Sequence, residues 1–226
     1  MQTKIYKTLS KVVGIVLLIA GIGAFSGGKF AESFIAEQLG EQNIVMPSVE
    51  SIDGQVAGGR LTEEDANALR PYADQPMTTG AQAKAFANHY VGAHMRAAAA
   101  AAGMPDATYA TIGAEFNAKR DALIAELKAL PENASADDAQ LGKLADAEIA
   151  NILTTNTTAQ EAKALQDLRY DTMLDGNTLR GMLLNAYGWG LLGTIALYAG
   201  IALAVVGLLL TVYGFVPAKR KAEATA

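Results

Sequence analysis

The sequence predicts a mainly α-helical fold in which two antiparallel transmembrane helices carry an extracytoplasmic helical domain. Three observations lead there. Two uncharged apolar stretches lie near the two ends of the 226-residue chain. The region between them repeats apolar residues at helical spacing, punctuated by proline and glycine. Basic residues border each apolar stretch on its terminal side. A mean hydropathy of +0.17 with 51% hydrophobic residues is high for a soluble protein, and membrane segments account for it. The chain has no cysteine, which excludes disulfides, thiolate metal ligands and a cysteine-linked lipid anchor.

Residues 1–11 form a basic N-terminal segment with Lys4, Lys7 and Lys11 and no acid. Residues 12–28, VVGIVLLIAGIGAFSGG, are free of charge and reach the lower limit for a spanning helix. A signal peptide cleaved near Ala24 and Ser26 is the competing reading. The amphipathic continuation KFAESFIAEQL, with Phe30, Phe34 and Ile35 on one side, favours a helix that runs on out of the membrane. Toward the other end, 38 uncharged residues separate Arg180 from Lys219. A straight helix of that length would be about 57 Å long, against a hydrocarbon core of about 30 Å. Tyr187 and Trp189 at one interface and Tyr213 and Phe215 at the other put the lipid span at about 190–214. It lies within a segment 181–216 whose first turns are membrane-proximal, followed by a basic tail 217–226 with Lys219, Arg220 and Lys221. By the positive-inside rule both termini are cytoplasmic at a plasma (inner) membrane, and residues 29–180 lie outside. Those residues hold 12 Lys/Arg and 22 Asp/Glu. Such an acidic surface excludes nucleic acid as a partner, because phosphate binding requires a basic one.

The apolar run GWGLLGTIALYAGIALAVVGLLLTVYG, from Gly188 to Gly214, places glycine at six positions, although glycine is a poor helix former. Spacing gives the reason. Gly193, Ala196, Gly200, Ala204, Gly207, Thr211 and Gly214 follow one another at intervals of three or four and share one helical face. Helices in lipid associate through close backbone approach, which a stripe of small residues permits. Ala20, Gly23, Ala24 and Gly27 offer a counterpart on the first helix. The stripe then either packs the two helices on each other or docks onto another integral membrane protein or a second copy as a homodimer. Neither lipid portion carries an ionisable residue, which argues against an ion path or an intramembrane catalytic site.

In the outer region, GEQNIVMPSVESIDGQVAGGR reads as irregular because of Pro47, Gly54, Gly58 and Gly59. Thr62 with Asp65 caps a short helix, TEEDANALR, that ends before Pro71. A long helix, TGAQAKAFANHYVGAHMRAAAAAAG, closes at Gly103 and Pro105. The segment ATYATIGAEFNAKRDALIAELKAL turns Ile112, Phe116, Leu123, Ile124, Leu127 and Leu130 toward a core and stops at Pro131. The next helix begins at Ser135 and runs through Leu141, Leu144, Ile149 and Leu153. Thr158 and Glu161 form a capping box for AQEAKALQDLRYDTML, and Asp175-Gly176-Asn177 marks a break before the final helix.

Three stretches together resemble a family of small actinobacterial two-span membrane proteins of unassigned function: residues 37–47 (EQLGEQNIVMP), PMTTGAQAKAFANHYVGAHM with the ATYATI that follows, and TLRGMLLNAYGWGLLGTIALYAGIALAVVGLLLTVYG. The resemblance implies a basic N-terminus with an apolar helix, a central segment and a final membrane helix. Residues near 112–172 are an insertion relative to it. Members are sometimes labelled as aromatic ring-opening dioxygenases, and this chain offers no coherent metal site to match that label.

The two histidines, His89 and His94, lie five residues apart. On an α-helix they point about 140° from one another and cannot share a metal as an i, i+4 pair would. HExxH, phosphate-loop, EF-hand and Gly-x-Ser-x-Gly patterns are missing from the sequence. Glu63, Glu64 and Asp65 could bind a cation, but a helix N-terminus favours acids for its dipole alone, and Asp137 and Asp138 admit the same explanation. Asn133-Ala-Ser and Asn156-Thr-Thr match the glycosylation sequon but read as loop and cap residues. Tyr90 and His94 pair at i, i+4. The sequence thus assigns no catalytic residue, no metal and no cofactor. The expected protein is a non-enzymatic accessory or scaffold subunit of a larger membrane complex, such as a respiratory or envelope assembly, with the lipid bilayer and an integral membrane protein as partners. The alternative is an extracytoplasmic ligand-binding sensor that works through a separate signalling partner.

Overall fold

A computed structural model describes residues 2–216, and the expected basic tail 217–226 lies outside them. The protein is mainly helical (81%), with no strand among the described residues. The α-helices are α1 (Gln2–Gly40), α2 (Val49–Ala57), α3 (Glu63–Leu69), α4 (Gly80–Ala85), α5 (Gly92–Ala101), α6 (Tyr109–Lys128), α7 (Asp138–Ala150), α8 (Thr157–Asp167) and α9 (Asp175–Phe215). Two π-helical segments, Phe86–Val91 and Leu168–Leu174, join α4 to α5 and α8 to α9. The chain divides into two compact units, the first holding residues 2–45, 76–83 and 185–216 and the second 46–75 and 84–184.

The first unit is built on α1 and the apolar length of α9. Two helical stretches, Lys4–Gly40 and Thr157–Phe215, are long and apolar enough to cross a membrane, with mean hydropathies of 2.1 and 2.5 over their most apolar windows. Only 11% and 17% of those windows is buried, whereas a core helix of a soluble protein would be mostly covered. Ile5, Val16, Ile19 and Ile22 on α1, and Ile195, Val205, Leu209 and Val212 on α9, are exposed. A continuous apolar surface of this kind suits hydrocarbon better than water. Beyond Gly40 the chain turns through Asn43 at φ 52°. The Met77 amide then donates to the Ile44 carbonyl at 2.8 Å, and Val45 and Pro76 form an isolated antiparallel bridge.

The second unit is a helical assembly with two apolar centres. In one, α6 packs on α7 and α8 around Leu123, Ala145, Ile149, Ala159 and Ala162, with Phe116, Ile124 and Leu127 against them. Alanine on α7 and α8 lets those backbones come close to α6. In the other, Met95, Ala99, Ile112, Leu168 and Met173 pack together.

Several local expectations change. The stretch read as irregular contains α2, because the Ser48 hydroxyl accepts from the Ser51 amide at 3.1 Å and caps it, while Ile52 is fully buried. Gly54 lies inside that helix, and Gly59, at φ +71°, ends it. Helix α7 starts at Asp138 rather than Ser135, since Asp137 is the residue that accepts from the Gln140 amide, at 2.8 Å. Leu130 (41% exposed), Leu144 (41%) and Leu153 (83%) fall outside the core. Asn156 caps α8 in place of Thr158, whose hydroxyl instead donates to Glu126 at 2.6 Å. Asp175-Gly176-Asn177 is no break: a wider π turn absorbs the irregularity just before it. Gly176 is needed there for space, since a Cβ at that position would lie 2.6 Å from Met95 Sδ.

Candidate functional site

The first candidate is the seam between α1 and α9. Gly14, Gly21 and Gly28 recur every seven residues on α1, and Gly193, Gly200, Gly207 and Gly214 do so on α9. A Cβ on Gly14 would sit 2.5 Å from the Thr211 amide nitrogen and 2.7 Å from the Gly207 carbonyl oxygen. One on Gly21 would meet the backbone of Gly200 and Ala204, and one on Gly28 would lie 2.7 Å from both Gly193 O and Leu197 N. From the other side, Gly207 meets Leu18, Gly200 meets Phe25, Gly193 meets Ala31 and Gly214 meets Lys11. Partner numbers on α9 fall as those on α1 rise. Most of these separations are under the 3.0 Å that real Cβ atoms essentially never show, so backbone lies on backbone at every seam glycine except Gly193, whose close neighbour is the Ala31 Cβ. A strict seven-residue repeat keeps the seam straight along two supercoiled helices.

The sequence-predicted stripe on α9 therefore faces α1. Gly193, Gly200, Gly207 and Gly214 are buried, and Ala196, Ala204 and Thr211 are half-buried. On α1 the seam differs from the set Ala20, Gly23, Ala24 and Gly27. Ala20 is exposed and Ala24 half-buried, and nothing lies within 4 Å of a Cβ placed on Gly23 or Gly27. Intervals of three and four drew attention to that face, whereas the signal for the true seam was the heptad 14, 21, 28. At the seam's far end Lys7 Nζ lies 5.8 Å from the Tyr213 ring centre and donates to the Val216 carbonyl, while Lys11 Nζ lies 4.4 Å from the Phe215 ring centre. These cations sit at the C-terminal end of α9, where the helix dipole favours positive charge. At the other end, Gly80 lies against the backbone of Tyr187, and Trp189 is exposed.

The second candidate lies in the second unit, around Asp65. The Thr62 hydroxyl and amide donate to Asp65 Oδ2 at 2.7 and 3.2 Å, and the Asp65 amide donates back to the hydroxyl at 3.1 Å. This is the expected N-terminal cap of α3. The same carboxylate also takes Arg96 Nη2, at 3.0 and 3.2 Å, and His89 Nδ1, at 3.0 Å. His89 comes from the first π segment, whose carbonyl at Ala87 accepts from Arg180 Nε at 3.1 Å. Burial, the strongest single influence, pushes the Asp65 carboxyl up. The Thr62 and His89 hydrogen bonds and the Arg96 charge together outweigh it and hold the group below the ordinary aspartate range. The sequence accounts for Asp65 only through the Thr62 cap and the helix dipole, because its other partners lie 24 and 31 residues away.

His89 and His94 use separate partners, His94 Nδ1 lying 2.7 Å from the Tyr90 carbonyl and its ring 4.5 Å from the Tyr90 ring. Among the described residues His89 has no hydrogen-bond partner besides Asp65, so the pair lacks the nucleophile that a triad would need. No group of three or more His, Asp or Glu side chains among the described residues could hold a metal ion. No family model matches the chain, and no curated protein and no solved structure matches it either.

Proposed function

We propose that the protein is a non-enzymatic integral membrane protein whose α1 and α9 form an antiparallel hairpin through the bilayer. Both termini are cytoplasmic, the second unit is extracytoplasmic, and the protein serves as an accessory or scaffold subunit of a larger membrane complex. The glycine heptads carry this reading. In water, an apolar stripe is buried by large side chains; here the helices meet through glycine while Leu, Ile and Val point outward, the arrangement expected where lipid is the solvent. Length agrees. Lys11 and Lys29 bound the uncharged part of α1, residues 12–28, and that length of helix rises about 26 Å, close to a hydrocarbon core of about 30 Å.

Because α1 already occupies the α9 stripe, docking onto a partner falls to the open face of α1. Gly23 and Gly27 there form a GxxxG pair of the kind that lets a second helix approach. The test is extraction of the full-length protein from its own membrane in mild detergent, followed by native sizing and mass spectrometry. A stoichiometric complex that Gly23→Leu/Gly27→Leu dissolves is the expected result. A lone chain, or a complex indifferent to both substitutions, rejects the accessory role.

A further inference from the structure

A cleft of about 630 Å³ lies wholly within the second unit, lined by the turn after α2, by α5 and by the second π segment. Its volume is in the middle of the roughly 300–1,000 Å³ range of small-ligand sites. Three chain segments deliver its polar side chains: Arg60, His94, and Asp171 with Thr172. Gly59, at φ +71°, closes α2 so that the Arg60 and Leu61 amides both return to the Gln55 carbonyl, at 2.9 and 3.2 Å. That turn buries Leu61 and leaves Arg60 exposed at the cleft. His94 comes from α5. Its Nδ1 faces the Tyr90 carbonyl, which can only accept, so Nδ1 carries a proton and Nε2 is the nitrogen left for a ligand. Asp171 comes from the second π segment, the kind of helix distortion often found at functional sites. The apolar part of the lining includes Met95 and Ala98.

The Arg60 and Asp171 side chains are both exposed, make no ion pair or hydrogen bond with any described residue, and so do not pair with each other. A guanidinium and a carboxylate that line one cleft without pairing, beside an imidazole and apolar side chains, match a ligand that carries both charges itself. The geometry points to a binding site for a zwitterionic α-amino acid with an apolar side chain. Arg60 would hold its carboxylate through paired N–H donors. Asp171 and His94 Nε2 would accept from its ammonium, and the side chain would rest on Met95 and Ala98. A simple anion would meet the Asp171 charge, and a simple amine would leave Arg60 unanswered. This site does not depend on the membrane partner proposed above, since all of its residues lie in one unit.

Calorimetric titration of the full-length protein in detergent with L-leucine, L-methionine and L-phenylalanine tests it. The controls are leucine without its amino group (4-methylpentanoate) and without its carboxylate (3-methylbutylamine). Saturable binding of at least one amino acid is expected, with both leucine analogues weaker than leucine by about tenfold or more. Arg60→Gln should weaken amino-acid binding about tenfold or more and leave the amine unaffected; Asp171→Asn should weaken it equally and leave the carboxylate analogue unaffected or tighter. Both side chains are exposed, and an unchanged circular dichroism spectrum would separate lost binding from lost folding. No saturable binding of any of the three amino acids up to roughly 10 mM would overturn the proposal. So would analogues that bind as tightly as leucine, or variants that bind like the parent.

Discussion

Asp65 shows how a single side chain can carry both a local and a long-range role. As an N-cap partner it needs only Thr62, but the buried carboxylate also takes hydrogen bonds from the half-buried His89 and the exposed Arg96. Its carboxyl titrates lower in the folded protein than in the unfolded chain. The stability it supplies is therefore complete above the ordinary aspartate value of 3.8 and is lost as the pH falls through the folded value. Asp65→Asn should cost about 1–3 kcal/mol at neutral pH, the usual penalty for leaving buried, charge-assisted hydrogen bonds half made. Thermal melts of parent and variant should begin to converge as the pH falls below 3.8 and coincide once it has passed the folded value. A difference that stays constant well below 3.8 would mean that the Asp65 charge contributes nothing.

At the scale of elements, the α1–α9 seam sets the sharpest requirement on sequence. Gly21→Leu or Gly200→Leu forces a branched side chain into backbone and should destabilise the first unit by about 1–3 kcal/mol or more. Gly23→Leu, on the open face, should leave the stability of the isolated protein unchanged. Comparing the detergent denaturation midpoints of these variants reads the difference directly. The absence of cysteine makes a second check clean. A Cβ on Gly193 lies 2.9 Å from the Ala31 Cβ, within about 1 Å of the mean disulfide separation. Ala31→Cys/Gly193→Cys should therefore cross-link under mild oxidation, whereas Ala31→Cys/Gly207→Cys, four turns out of register, should not. The same cross-link tells a lost seam from a lost partner when Gly23 and Gly27 are replaced.

For the whole molecule, the proposed topology predicts which surfaces reagents can reach. Single cysteines at Leu130, in the second unit, and at Thr8, near the N-terminus, are both at exposed positions. In intact cells a membrane-impermeant maleimide should label Leu130→Cys and spare Thr8→Cys until the membrane is opened. Labelling of Thr8→Cys from outside would reverse the orientation, and equal labelling of both would remove the membrane reading altogether. The lysines that precede the first apolar stretch favour the predicted side.

The sequence by itself determined that two helices are long and apolar, that a small-residue stripe runs along one face of the second, and where strong caps such as Thr62 with Asp65 begin a helix. All of these are short-range signals: hydropathy, intervals of three and four, and a side chain bonding to an amide three residues on. Only the tertiary structure decided between two small-residue faces of α1 that are both legible in the sequence, the heptad Gly14, Gly21 and Gly28 and the pair Gly23 and Gly27, by setting Gly21 against Ala204 and Gly200. It also decided that Asp65 is shared with His89 and Arg96, and that Arg60, His94 and Asp171 line one cleft. Those groupings join segments far apart in the chain through glycine turns and π segments. Both depend on how neighbouring helices pack, and no local periodicity encodes that.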